Sequence, residues 1–104
     1  PMFKGILSTI YINLPKGVSI NKIRNSLFNF YKKKHFIKIL KNNDLISTND
    51  VINTNNCLIS ICKTRYKNKI LILSAIDNLI KGGAGQAIQN FNIKFGFPEN
   101  TGLK

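Results

Sequence analysis

A single histidine, His35, and two cysteines, Cys57 and Cys62, are all that 104 residues offer to a transition metal or to thiol chemistry. One imidazole cannot complete a zinc set. The cysteines stand five apart in an apolar, alternating run. Odd and even positions of a strand face opposite sides, so the two sulfurs cannot meet each other or share an ion. The expectation is two buried, reduced thiols in a reducing compartment. No stretch approaches 18 uninterrupted apolar residues, and no basic start followed by an apolar run marks a leader. These absences predict a soluble, cytoplasmic chain without membrane contact.

Acidic residues are scarce as well, four against sixteen Lys and Arg, which leaves a net charge of +12. Such a balance invites a nucleic-acid reading through counterion release. Fourteen of the sixteen are Lys, however, and Asn and Ile abound throughout, as in a genome-wide compositional drift. Base reading and bidentate phosphate contacts favour Arg. The charge is therefore read as serving solubility, with nucleic acid disfavoured as a partner.

What remains, 43% hydrophobic, is enough for one modest core, as one domain or part of one. Residues Ile6 to Leu14 alternate as a strand, with Ile6, Ser8, Ile10, Ile12 and Leu14 as the core face. The chain enters this strand without a capping preamble, which predicts that residue 1 lies at an internal boundary. Pro15-Lys16-Gly17 is a turn and Ser19 an N-cap. Ile20, Ile23, Leu27, Phe30 and Tyr31 then line a helix closed by Lys32 to Lys34, a run that suits the helix dipole. His35 to Leu40 reads as a second strand, with His35 an exposed entry residue and not a base. Lys41 to Asn56 is a polar loop with room for a short strand near Leu45. Cys57 to Lys63 and Lys69 to Ile76 form a hairpin. From Ile80 the apolar positions Ile80, Ala84, Ala87, Ile88, Phe91 and Phe95 describe one helical face, stopped by Gly96 and Pro98. The order predicts an α+β layer, a mostly antiparallel sheet with helices on one face.

Gly82, Gly83 and Gly85 interrupt the start of that last helix, each at about 1 kcal/mol relative to Ala. Bare backbone must be needed there, for a neighbouring element or for a ligand at the helix N-terminus. The turn is not a phosphate-binding P-loop, because Lys81 precedes the glycines. Nor is it a dinucleotide fingerprint, because Ile88 stands where Gly or Ala is required and no acid follows about 20 residues on. Gly82 to Gly85 does fit the GXXG of KH-type RNA-binding loops, and a small basic RNA-binding module is the alternative function. That loop joins two helices, whereas only Asp77 to Lys81 separate these glycines from the preceding strand.

The run Asp77-Asn78-Leu79-Ile80-Lys81-Gly82-Gly83-Ala84-Gly85-Gln86-Ala87-Ile88-Gln89-Asn90, the tail Phe95-Gly96-Phe97-Pro98-Glu99-Asn100-Thr101-Gly102-Leu103 and the start Lys4-Gly5-Ile6-Leu7-Ser8-Thr9-Ile10-Tyr11 together resemble the C-terminal part of N-acetyl-γ-glutamyl-phosphate reductase, an NADP-dependent enzyme of arginine biosynthesis. The match is dense at both ends and weak from about Ser19 to Val51. The resemblance implies that residues 1–104 are the C-terminal part of a substrate and dimerisation domain like that of glyceraldehyde-3-phosphate dehydrogenase. It implies partners too: a nucleotide-binding domain outside this chain, a homo-oligomer and a small-molecule substrate. In the family a cysteine thiolate attacks the acyl phosphate, phosphate leaves, and hydride from NADPH reduces the thioester to a semialdehyde, with histidine as acid and base. The Asn-Pro-Gly-Cys and His-Arg-His motifs that carry those roles are absent here, so no residue of this chain is assigned to catalysis and the chain alone is expected to be inactive. The resemblance makes Asn78 the candidate for the nicotinamide carboxamide, with Lys81 and Gly82 as weaker candidates in the same turn; the plainer reading is that Asp77 and Asn78 cap the helix, and both can hold. Lys4 stands where Arg is usual, and Gly83 where Ala is common. A non-catalytic oligomerisation domain is a third possibility.

Overall fold

The computed structural model describes residues 3–40 and 44–104. The chain runs β1 (Ile6–Asn13), α1 (Ile20–Tyr31), β2 (Ile37–Ile39), a short 3-10 helix (Thr48–Asp50), β3 (Cys57–Lys63), β4 (Lys69–Ile76), a wide helical turn (Ile80–Ala84) and α2 (Gly85–Lys94). The strands form one sheet in the order β1-β4-β3-β2. β4 pairs antiparallel with β1 from Ile6↔Ile76 to Asn13↔Lys69, and with β3 from Cys57↔Ile76 to Lys63↔Ile70. β2 pairs parallel with β3, Ile37↔Cys57 to Ile39↔Ile59. The fold is thus α+β with a mostly antiparallel sheet, as expected, and the short parallel β2–β3 pair makes it mixed. The segment from Leu40 to Asn56 is long enough to carry the chain back to the starting end of β2, which a parallel pair requires.

Alternation along the strands assigns the two faces. Leu58 and Cys62 of β3 join Leu71, Leu73 and Ala75 of β4 on one face, where they pack with Ile46 and Val51 from the loop. That loop is polar in composition yet supplies the lid of the core. Ser47 N–H donates to Asp50 Oδ2 at 2.7 Å, which tightens the 3-10 turn so that Ile46 and Val51 both point inward. Leu45 is exposed and in no strand; its first three residues, Lys41 to Asn43, lie outside the described residues. The opposite face carries Ile39, Ile61 and Ile70. α1 lies on that face, since Ile39 lines a cavity of about 400 Å³ together with Asn21, Arg24, Asn25 and Phe28. Ser19 Oγ accepts from Lys22 N–H at 3.2 Å, the expected N-cap. Arg24 reaches the Ile61 carbonyl at 2.9 Å.

Two elements lack such cover. β1 is exposed along both faces, with Ile10 45% and Tyr11 71% accessible. In α2 the predicted core face is the open one: Ile88, Phe91 and Phe95 are exposed, and the buried residues are Gly85 and Asn92. The apolar stripe was read correctly as a stripe, but the described residues leave it exposed. The overall dimensions, 44 × 36 × 18 Å, describe a slab. Its radius of gyration of 15.1 Å exceeds the roughly 13 Å of a compact domain this long.

Candidate functional site

The turn after β4 is built around Asp77, whose side chain is fully buried. Its Oδ1 accepts from the backbone N–H groups of Leu79 at 2.9 Å and Ile80 at 3.2 Å, an Asx-type turn at a helix start. Its Oδ2 accepts from Asn53 N–H at 2.8 Å and stands 3.7 Å from the Lys4 ammonium. Lys4 Nζ also donates to Asn53 Oδ1. Burial alone would raise the Asp77 carboxyl pKa; the three N–H groups and the Lys4 charge outweigh it and hold the group below its ordinary value. Position 77 is therefore an anion tying together the entry to β1, the loop and the turn.

Asn78, half-buried, follows directly. Gly5 N–H donates to its Oδ1 at 2.7 Å, and its Nδ2 has no partner among the described residues. The amide is oriented by its oxygen and presents its nitrogen as an unspent donor. Gly5 holds this geometry at φ +105°, and a Cβ there would lie 2.6 Å from that of Thr48.

The three glycines divide into two roles. A Cβ on Gly85 would lie 2.4 Å from Asn55 Oδ1 and 2.8 Å from the Ile80 carbonyl, so this glycine serves close packing inside the chain. Asn55 is itself buried, its Nδ2 donating to Gln89 Oε1 at 3.0 Å. At Gly82 and Gly83 a Cβ would meet only ordinary contacts, among them Asn78 Cβ at 3.7 Å and the Asn78 carbonyl at 3.5 Å. Both are exposed and place bare backbone near Asn78. Hydrogen bonds from Gly82 to Asp77 and from Ala84 to Leu79, at 3.1 and 3.2 Å, span five residues, so the turn is wider than an α-helix. Gly83 breaks it at φ −146°, ψ −116°. The Gly82 to Gly85 run thus lies within a helical segment that follows a strand, and does not form the two-helix connection of a KH-type loop.

Lys81 turns the other way. Its ammonium donates to Gln89 Oε1 at 2.7 Å and lies 5.3 Å from the centre of the Phe36 ring. Burial lowers its pKa, with Cys57 and Glu99 opposing that shift. At the end of α2, Gly96 at φ +75° closes the helix, Phe97 N–H bonding the Asn92 carbonyl at 2.9 Å and Gly96 N–H that of Ile93 at 3.4 Å, a Schellman arrangement. Asn92 Nδ2 then holds the tail through the carbonyls of Glu99 at 3.2 Å and Thr101 at 2.9 Å.

His35 is exposed, its N–H bonded to Glu99 Oε1 at 3.0 Å. Cys57 is half-buried, not buried as expected, and Cys62 is buried; both are free. Among the described residues no group of His, Cys, Asp and Glu could hold a metal, and no helix is long and apolar enough to cross a membrane. Composition and spacing singled out Asn78, Lys81 and Gly82 only by resemblance, and left out Gly5, Asn53 and the anchoring part of Asp77. Asp77 two residues before Leu79 was a readable turn signal; the meeting of Gly5 with Asn78 spans 73 residues and has no local trace.

Residues 1–78 match the family model of the semialdehyde dehydrogenase dimerisation domain. The chain is 45% identical over 103 residues to N-acetyl-gamma-glutamyl-phosphate reductase of Thermoanaerobacter pseudethanolicus and 48% to that of Clostridium botulinum, covering 99% of this chain and 30% of each relative. It is 40% identical to a probable chloroplastic N-acetyl-gamma-glutamyl-phosphate reductase of Arabidopsis thaliana, covering 26% of that protein. The chain thus spans about 30% of the length of its bacterial relatives. In structure it is similar to aspartate semialdehyde dehydrogenase II of Vibrio cholerae, with a TM-score of 0.62 over 91% of this chain and 29% of the other, at 15% identity.

Proposed function

The chain belongs to the semialdehyde dehydrogenase dimerisation-domain family, and from that premise we propose that it is the C-terminal part of an NADP-dependent N-acetyl-γ-glutamyl-phosphate reductase. On this reading residues 1–104 complete a cytoplasmic enzyme that converts an acyl phosphate to a semialdehyde, with the nucleophile, the acid–base group and the nucleotide-binding domain supplied outside these residues. The bare faces are consistent with that division. β1 and its neighbouring apolar side chains offer a sheet surface for a second copy, as the family's printed name indicates. The family model stops at residue 78, just before α2, whose open apolar face would be covered by the rest of the enzyme.

One observation carries the cofactor assignment: the Asn78 amide has its oxygen bound inside the chain and its nitrogen unspent, with Gly82 close to its Cβ. A carboxamide carbonyl fits a single fixed donor in an open turn. Asn78 is the residue assigned to it, Gly82 keeps the approach clear, and Lys81 braces the turn against α2 through Gln89. When bound, the dinucleotide supplies the hydride; these residues only seat and orient it. The test is Asn78→Asp in the complete enzyme. Asp keeps an oxygen for Gly5 N–H but removes the donor, and NADPH affinity measured by titration is expected to fall about 5- to 30-fold, the range of one lost hydrogen bond of about 1 to 2 kcal/mol. Unchanged affinity would reduce Asn78 to a structural tie to Gly5.

A further inference from the structure

We infer that Asp77 is the positioning residue for the Asn78 donor: its carboxylate locks the backbone on either side of Asn78, so that the amide nitrogen is held ready before any nucleotide arrives. The inference rests on the preceding assignment of Asn78 and extends it to a residue that touches no ligand.

Three backbone N–H groups and one ammonium converge on the two oxygens of Asp77. Leu79 and Ile80 take Oδ1; Asn53 takes Oδ2, with Lys4 at 3.7 Å. The Oδ1 bonds fix the chain just after Asn78, and the Oδ2 bond fixes the same side chain to the loop from 24 residues upstream. Lys4 is joined to this anion, and the next residue, Gly5, gives the N–H that orients the Asn78 oxygen at 2.7 Å. The entry to β1 is therefore placed by position 77 and reads out at position 78. An Asn at 77 could not replace the acid. With one acceptor oxygen it could serve either the turn or Asn53, and its amide hydrogens would face the N–H groups or the ammonium on the other side. The burial of the group makes that mismatch costly, since an unmet donor in this position has no water to turn to.

The alternative is that Asp77 is a helix cap that stabilises the fold and nothing else. A double-mutant cycle on NADPH affinity in the complete enzyme separates the two. Asp77→Asn, Asn78→Asp and the pair would be titrated with NADPH, with thermal unfolding recorded on each. If Asp77 acts through Asn78, D77N weakens NADPH binding several-fold in the wild-type background and adds less than about 2-fold once N78D has removed the donor. If D77N weakens binding by the same factor in both backgrounds, the positioning role is overturned and the Asn78 contact stands. If N78D leaves affinity unchanged, the contact itself fails, and the positioning role falls with it. Should D77N not fold, Asp77→Ser replaces it: a serine hydroxyl keeps an acceptor for the turn N–H groups but cannot bridge to Asn53 and Lys4. The same non-additivity with N78D is expected for D77S, and additivity overturns the role.

Discussion

The loop over the β3–β4 core and the pair formed by β1 and α2 contrast in composition and in fate. The loop is rich in Asn, Ser, Thr and Asp, yet Val51 and Asn55 are fully buried in it. β1 and α2 carry five Ile between them, yet Ile10 and Phe91 are about half exposed, at 45% and 54%. Composition ranks the two regions in the wrong order for burial. The reason is that burial is decided by what lies opposite. Ile46 and Val51 pack with Leu73 and Ala75, whereas the described residues leave the apolar stripes of β1 and α2 about half exposed. A polar segment that is buried and an apolar one left open fit the proposed place of these residues within a longer enzyme.

The contrast can be broken first at two isoleucines. In the 104-residue chain, Ile61→Ala removes a fully buried side chain and is expected to lower unfolding stability by about 2 to 5 kcal/mol. Ile10→Ala, on the open strand, is expected to cost well under half of that, because its surroundings are already solvent. Urea denaturation of both variants checks the pair. Equal losses would mean that β1 is covered in the isolated chain.

The glycines sharpen the same contrast on a smaller scale. At Gly85 a Cβ runs into Asn55 and the Ile80 carbonyl, so Gly85→Ala should destabilise by about 1 to 3 kcal/mol despite the better helix propensity of Ala. At Gly82 a Cβ meets only ordinary contacts at 3.5 Å and beyond, and Gly82→Ala should leave the chain unchanged or more stable by up to about 1 kcal/mol. Thermal unfolding compares them, and an equal loss at both sites would remove the distinction between a packing glycine and an approach glycine.

The legible parts of the sequence were those whose cause is local. The strands Cys57–Lys63 and Lys69–Ile76 were readable to the residue because their alternation is unbroken and the turn signal sits between them. Ser19 was readable as a cap, and Gly96 as a stop, for the same reason. β2 shrank to Ile37–Ile39, whose first residue pairs with the first of β3; where it leaves the sheet, while β3 runs on to Lys63, has no local sequence signal. The parallel pairing, the inward turn of Ile46 and Val51 and the open face of α2 depend on the path of the whole chain. At the site, resemblance singled out Asn78, and a local turn signal was present at Asp77. The bond from Gly5, the Asn53 N–H and the Lys4 charge arrive from distant segments, which no local pattern announces.

Amide hydrogen exchange, read residue by residue on the 104-residue chain and on the same residues within the complete enzyme, tests most directly whether the bare regions are halves of interfaces. The amides of β1 and of α2 are expected to slow markedly in the complete enzyme, while those of β3 and of residues 46–55 stay as they are. Equal exchange of β1 and α2 in the two settings would contradict the account, because their apolar faces would then be open in the working protein as well.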